Sequence, residues 1–273
     1  TALATSFAAA KRALPGAAAV AALREDAFRR FDTEGLPHRR IEEWKYTDLR
    51  ALMRDAKPLA GVPDAAAKAR AEQAAASLEM IDARRIVFVD GAFVPELSDL
   101  AGLEAGLTIR SMAQTLVAGD PRLTARLGKV VPTDDVAVAL NTAFMGDGAV
   151  IHVAAGAALA RPIHLVFVNA GGEGASVFVR SLVVIEKGAR AMLVESHLGA
   201  GIREDHVNTV LELEVGDDAH VDHIKITGEG AGTLHLSTLM AAIGAHARFN
   251  AFLFTTGGAV VRNQAFVRFN GEG

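Results

Sequence analysis

Apolar residues recur at three- and four-residue steps through Val20, Leu23, Ala27, Phe28 and Phe31, which predicts one apolar helix face over about Ala17 to Glu34. Pro15-Gly16 breaks the chain before it, Gly35 is placed to cap its end, and Pro37 blocks continuation. Arg24, Glu25, Arg29 and Arg30 fall mainly off that face. A short helix from Leu49 to Arg54, capped by Thr47 or Asp48, and an Ala-rich, partly helical stretch over 55–80 complete a helical region across 1–80. The pattern changes at Arg85. Ile86 to Val89 and Ala92 to Val94 read as strands around an Asp90-Gly91 hairpin turn, and Leu107 to Ile109 as another. Residues 111–128 read as short helices broken at Gly119 and Gly128, so 81–135 is a mixed α/β connector.

From about Val136 the chain turns β-rich and repeats. Turns at Gly156-Ala157, Gly188-Ala189, Gly216-Asp217 and Gly244-Ala245 are spaced by 32, 28 and 28 residues, each flanked by β-rich runs. Leu211 to Val215 alternates apolar and charged residues, as a half-buried strand does. A fixed period without long helices predicts a β-solenoid over 136–273, with several short strands per unit; the alternative is a sandwich with evenly spaced turns. Phe266 to Asn270 is again strand-like and no polar capping helix follows, so the solenoid is expected to be incomplete at its C-terminus.

Composition narrows the function classes. The 273 residues are 51% hydrophobic and 22% charged, with a net charge of −4, so the chain is globular and carries no general attraction for nucleic acid or anionic membrane. No apolar run reaches the roughly 18 residues of a membrane span, and the N-terminus lacks the pattern of a secretory signal. The chain opens on Thr1-Ala2 without Met, which reads as a processed or trimmed start. Cysteine is absent, which excludes disulfides, thiolate metal sites and cysteine nucleophiles within this chain. That composition fits a reducing cytoplasm.

Candidate chemistry is sparse. Six of nine histidines, His197, His206, His220, His223, His235 and His246, fall between 197 and 246. Stacked rungs would let ligands converge, which makes His206, His220, His223 and His235 weak metal candidates. His220 and His223 are three apart on a strand, however, and so face opposite sides. Glu195, Glu204, Asp205, Asp217 and Asp218 offer material for an acid–base pair, as in a solenoid enzyme acting on carbohydrate or acyl substrates. The Gly-rich segments 171–174, 228–230 and 257–258 lack the Lys-Ser or Lys-Thr of a phosphate-binding loop and read as turns. Trp44 and Tyr46, the sole Trp and Tyr, sit two positions apart and read as a structural anchor that plugs the N-terminal region into the rest of the fold.

Glu42-Glu43-Trp44-Lys45-Tyr46-Thr47-Asp48-Leu49 resembles the N-terminal signature of the SufD branch of the SufB/SufD superfamily, which acts in SUF iron–sulfur cluster assembly. Leu140-Asn141-Thr142-Ala143-Phe144 followed by Asp147-Gly148, then Arg161 to Leu165, then Ser181 to Glu195, resemble successive steps of that family, so the likeness runs from about Pro37 onward. The resemblance implies a right-handed β-helix behind an N-terminal helical, α+β region. It implies a non-catalytic scaffold subunit supporting cluster formation and iron supply. The partners it implies are a SufB-like paralogue and a SufC-like ABC ATPase, with a homodimer when isolated. The iron–sulfur cluster and ATP would be handled by the assembled complex, with no cofactor held in this chain. The family's docking region and its late Cys and His lie beyond the motifs matched, so no catalytic, cofactor or cluster residue carries over. A histidine-based metal-binding protein is the other alternative.

Overall fold

The computed structural model describes residues 2–201 and 203–271. The chain begins with helices α1 (Ala2–Ala10) and α2 (Ala18–Glu34), and Gly35 ends α2 at φ 73° while its N–H bonds to the Phe31 carbonyl. Val20, Arg24, Ala27 and Phe31 form the buried stripe of α2. Arg24 therefore lies on the buried stripe, not off it. Its guanidinium donates to the carbonyls of Pro15 at 2.7 Å, Ala143 at 3.2 Å and Met145 at 2.7 Å, satisfying carbonyls that the end of a helix leaves free. Burial lowers its pKa to about 10, so it stays charged at neutral pH. Asp48 caps α3 (Leu49–Leu52) by accepting from the Ala51 N–H, and α4 (Ala65–Ala75) buries Ala67, Ala71 and Ala75.

The hairpin β1 (Arg84–Val89) and β2 (Ala92–Phe93) turns at Asp90 (φ 48°) and Gly91 (φ 81°), the two left-handed positions that an Asp-Gly hairpin requires. Strand β3 (Leu107–Ser111) and short helices α5 (Met112–Ala118) and α6 (Pro121–Thr124) follow. The β-rich stretch expected from Val136 begins later. Residues Val136–Phe144 form a helix, α7, capped by Asp135 and buried along nearly its whole length. A short, mostly apolar run carries no periodicity that separates helix from strand.

Among the described residues, nine strands then wind a solenoid: β4 (Ala149–Val153), β5 (Ile163–Asn169), β6 (Ser176–Ile185), β7 (Arg190–Gly199), β8 (His206–Val215), β9 (His220–Gly228), β10 (Leu234–Ile243), β11 (Arg248–Thr255) and β12 (Val260–Phe269). They stack in two sheets, β11-β9-β7-β5-β1-β2 and β12-β10-β8-β6-β4-β3, parallel throughout except where β2 and β3 close the first coils antiparallel. Each coil contributes one long strand to each sheet, where several short strands per unit were expected. Registers run straight up the stack: Ser176 pairs His206, His206 pairs Leu234, and Leu234 pairs Val260.

The turn between the sheets places Gly156, Gly188, Asp218 and His246 in the left-handed region, at φ 70°, 68°, 57° and 55°. The structural period is therefore 32, 30 and 28 residues. Gly216 and Gly244 sit two residues before that position. A Cβ there would lie 2.6 Å from the amide nitrogen of Lys187 or of Asp217, so these glycines permit close stacking of turns.

Ile86, Phe88, Ile151, Leu165, Val183, Leu193, Leu213, Val221 and Ile243 fill the space between the sheets. Outside, α4 covers Val87, Val89, Val166 and Val168. The N-terminal helices and α7 pack on Phe178, Leu234 and Leu236. Trp44 is buried in this second layer, and the Arg262 guanidinium of β12 lies 3.9 Å from its ring centroid. Tyr46 is 90% exposed. The two-residue plug is thus Trp44 alone, because the single turn of 3-10 helix ending at Trp44 points the two rings apart.

Candidate functional site

Alternate residues of a strand face the interior, so the apolar filling should continue through β7 and β9. It stops after Leu193. The next inward positions of β7 are Glu195 and His197; those of β9 are His223, Lys225 and Thr227; across the space, β8 offers Thr209 and β10 offers His235 and Ser237. All of these side chains are buried. Glu229, just past β9, completes the group and is 5% exposed. Glycines hold its segment: a Cβ at Gly257 would lie 2.2 Å from the Glu229 carbonyl oxygen, and one at Gly199 would lie 2.8 Å from the Gly230 nitrogen.

The contacts are close and mutually supporting. Glu229 Oε2 is 2.7 Å from His235 Nδ1, and His235 Nε2 is 3.0 Å from Thr209 Oγ1. Asn169 Nδ2 donates to Glu229 Oε1 at 3.1 Å. Glu195 Oε1 is 2.7 Å from His223 Nε2, and Glu195 Oε2 is 3.5 Å from His197 Nε2. Lys225 Nζ donates to Ser237 Oγ. The His197 and His235 rings, from opposite sheets, meet edge to face at 4.7 Å. His197 Nδ1 has no hydrogen-bond partner among the described residues, and Nε2 has only the long contact to Glu195.

Burial sets the electrostatics. It pushes the Glu195 carboxyl up, but His197, His223 and Lys225 pull harder, and the net direction is well below the usual range. Burial likewise opposes ionisation of Glu229, and His235, His197 and Lys225 outweigh it. Burial, helped by Lys225, lowers His197 to about 4, so its imidazole is neutral at pH 7. Lys225 is lowered by burial, against the raising effect of the two carboxylates. One ligand atom from each of His197, Glu229 and His235 lies within 4.8 Å of the others.

The four histidines singled out from sequence separate. His235 stands in the centre, and His223 joins through Glu195. His220 faces outward, half-buried, 4.0 Å from Asp222. His206 lies away from the interior cluster, near Lys57 and Glu204, and burial lowers its pKa. The carboxylates proposed for acid–base work are mostly spent on structure: Asp205 binds Arg203 and the Ala175 N–H, Glu204 pairs with Lys57, and Asp217 accepts from the Ala245 N–H. Sequence reasoning passed over His197 as a ligand, Lys225 and Glu229. The inward spacing Glu195-x-His197 and His223-x-Lys225 was the available signal for the first two. Glu229 is hidden in a segment that reads as a turn.

Residues 6–165 match the family described as the SufBD protein N-terminal region, and residues 167–273 match the SUF system FeS cluster assembly, SufBD core domain. The seam between these two matches falls inside β5, so the first region includes strands that are hydrogen-bonded into the solenoid. The chain is 31% identical over 240 residues to an iron–sulfur cluster assembly SufBD family protein of Synechocystis, covering 84% of this chain and 52% of that one. It is 30% identical over 249 residues to a SufBD family protein of Mycobacterium tuberculosis H37Rv, covering 90% and 51%. It is 28% identical over 244 residues to the iron–sulfur cluster assembly protein SufD of Escherichia coli K12, covering 87% and 53%. The chain thus spans about half the length of these relatives.

Proposed function

The chain belongs to the SufBD family of the SUF iron–sulfur system, and from that premise we propose that it serves as a non-catalytic scaffold subunit in iron–sulfur cluster assembly in the cytoplasm. In this reading it pairs with a SufB-like paralogue and engages a SufC-like ABC ATPase. ATP hydrolysis belongs to that ATPase, and iron and the nascent cluster are cargo of the complex. The observation that carries the reading is the match to both family regions in order, along one continuous parallel solenoid. Two features are in keeping with it. The Gly-rich segments are turns between strands of the coil and do not open a helix as a phosphate-binding loop does. Among the described residues, no helix is long and apolar enough to cross a membrane.

A solenoid enzyme would need its acid–base pair in an open groove. Glu195 is instead sealed between the sheets. The proposal is tested by affinity purification of the full-length protein from its own cells, with the co-purifying chains identified by mass spectrometry. A SufB-like protein and an ABC-type ATPase in fixed ratio are expected. Recovery of the protein without either would refute the assignment.

A further inference from the structure

We propose that His197, Glu229 and His235 form a binding site for one first-row divalent transition-metal ion, inside the solenoid and between its two sheets. The inference stands on geometry alone and holds whether or not the protein acts in cluster assembly.

Three observations carry it. First, the donors converge from three separate segments, β7, the stretch after β9, and β10, with one ligand atom of each within 4.8 Å of the others. First-row ions bind imidazole and carboxylate at about 2.0–2.2 Å, so small side-chain rotations bring all three onto one ion. Two imidazoles and a carboxylate suit iron(II), cobalt(II) or zinc(II). Second, His197 is 1% exposed, its Nδ1 has no hydrogen-bond partner among the described residues, and its Nε2 has only the 3.5 Å contact to Glu195 Oε2. A buried polar atom in that state is costly unless something pairs with it. A metal ion would use the single lone pair of the neutral imidazole. Third, the same sealed space holds two buried carboxylates, Glu195 and Glu229, and buried carboxylates are found paired or coordinating a metal.

The surrounding groups fit ligand roles. Glu229 Oε1 is anchored by Asn169 while Oε2 faces His235 Nδ1. When His235 Nδ1 carries the ring proton, it donates to Glu229, and Nε2 accepts from the Thr209 hydroxyl. When Nδ1 gives its lone pair to a metal, the proton resides on Nε2, which donates to Thr209 Oγ1 at the same 3.0 Å. The hydroxyl can do either. The site therefore exchanges a hydrogen bond for a metal bond without a net change in ring protons. An orienting partner on the far ring nitrogen is the usual arrangement for a ligating histidine.

The test is anaerobic titration of Co2+ into the full-length protein, followed by ligand-field absorption, with X-ray absorption at the cobalt edge. One saturable equivalent with two imidazoles on the ion is expected. His197→Ala and Glu229→Gln should each weaken that equivalent at least about tenfold. His246→Gly, at an exposed turn, should leave it unchanged. If a ligand variant fails to fold, the imidazole count in the unaltered protein decides alone. No saturable equivalent, an ion carrying fewer than two imidazoles, or unchanged binding by folded His197→Ala would overturn the proposal.

Discussion

Arg180 and Glu212 meet at 2.6 Å with neither side chain exposed, and the Gly128 N–H also donates to that carboxylate. Removing one partner strands the other charge, so Arg180→Ala should cost about 3–5 kcal/mol in urea unfolding. Replacing the pair together, Arg180→Met with Glu212→Leu, should recover most of that loss. His164 makes a different prediction. It is fully buried with Nε2 2.8 Å from Ser196 Oγ, and burial, helped by the charge of Arg85, lowers its pKa to about 4. An unfolded histidine titrates near pH 6.5, so between about pH 6.5 and 4 the unfolded chain holds the extra proton. The His164 contribution to stability is therefore full above that window and lost as pH falls through it. Unfolding at stepped pH should show a shallower acid slope for His164→Gln; an unaltered slope would contradict this. Trp44→Ala should cost about 3–5 kcal/mol and leave metal content unchanged, whereas Tyr46→Ala should stay within about 0.5 kcal/mol. Sequence marked both aromatics alike, because residue type states what a side chain prefers and not which way a single turn points it. Arg24 was misplaced for the opposite reason. Its charge argued for the surface, while its spacing from Val20, Ala27 and Phe31 placed it on the buried stripe.

At the level of elements, the turns were legible and their phase was not. Glycine served as the marker of the repeat, but the left-handed position passes from Gly156 and Gly188 to Asp218 and His246, residues that also tolerate that region. His246 is thus a turn residue. His246→Val should lower stability by about 1–2 kcal/mol and His246→Gly should not, as read by thermal melting. Gly257→Ala should drive a Cβ against the Glu229 carbonyl, costing about 1–3 kcal/mol and abolishing the cobalt equivalent. Gly172→Ala, with nothing within 4 Å of the added carbon, should be neutral. Helix α7 was hidden by its own burial. It has no polar face, so nothing in its pattern spoke for a helix beyond the cap at Asp135.

Across the whole molecule, the two-sheet stack has a dry, apolar interior through its early coils and a polar one around His197, Glu229 and His235. The solenoid class could be read from period and alternation, since both are local. The polar cluster could not, because it joins inward positions of opposite sheets, and their pairing depends on how the coils face each other across the interior. The proposed function rests on family membership and on the continuity of this fold, and its central claim is a role in iron–sulfur cluster assembly. The most direct measurement is depletion of the protein in its own cells, with the activities of several iron–sulfur enzymes compared with those of enzymes lacking clusters. The account predicts that the cluster-dependent activities fall together, that the others hold, and that re-expression restores the loss. Unchanged cluster-dependent activities after complete depletion would contradict it.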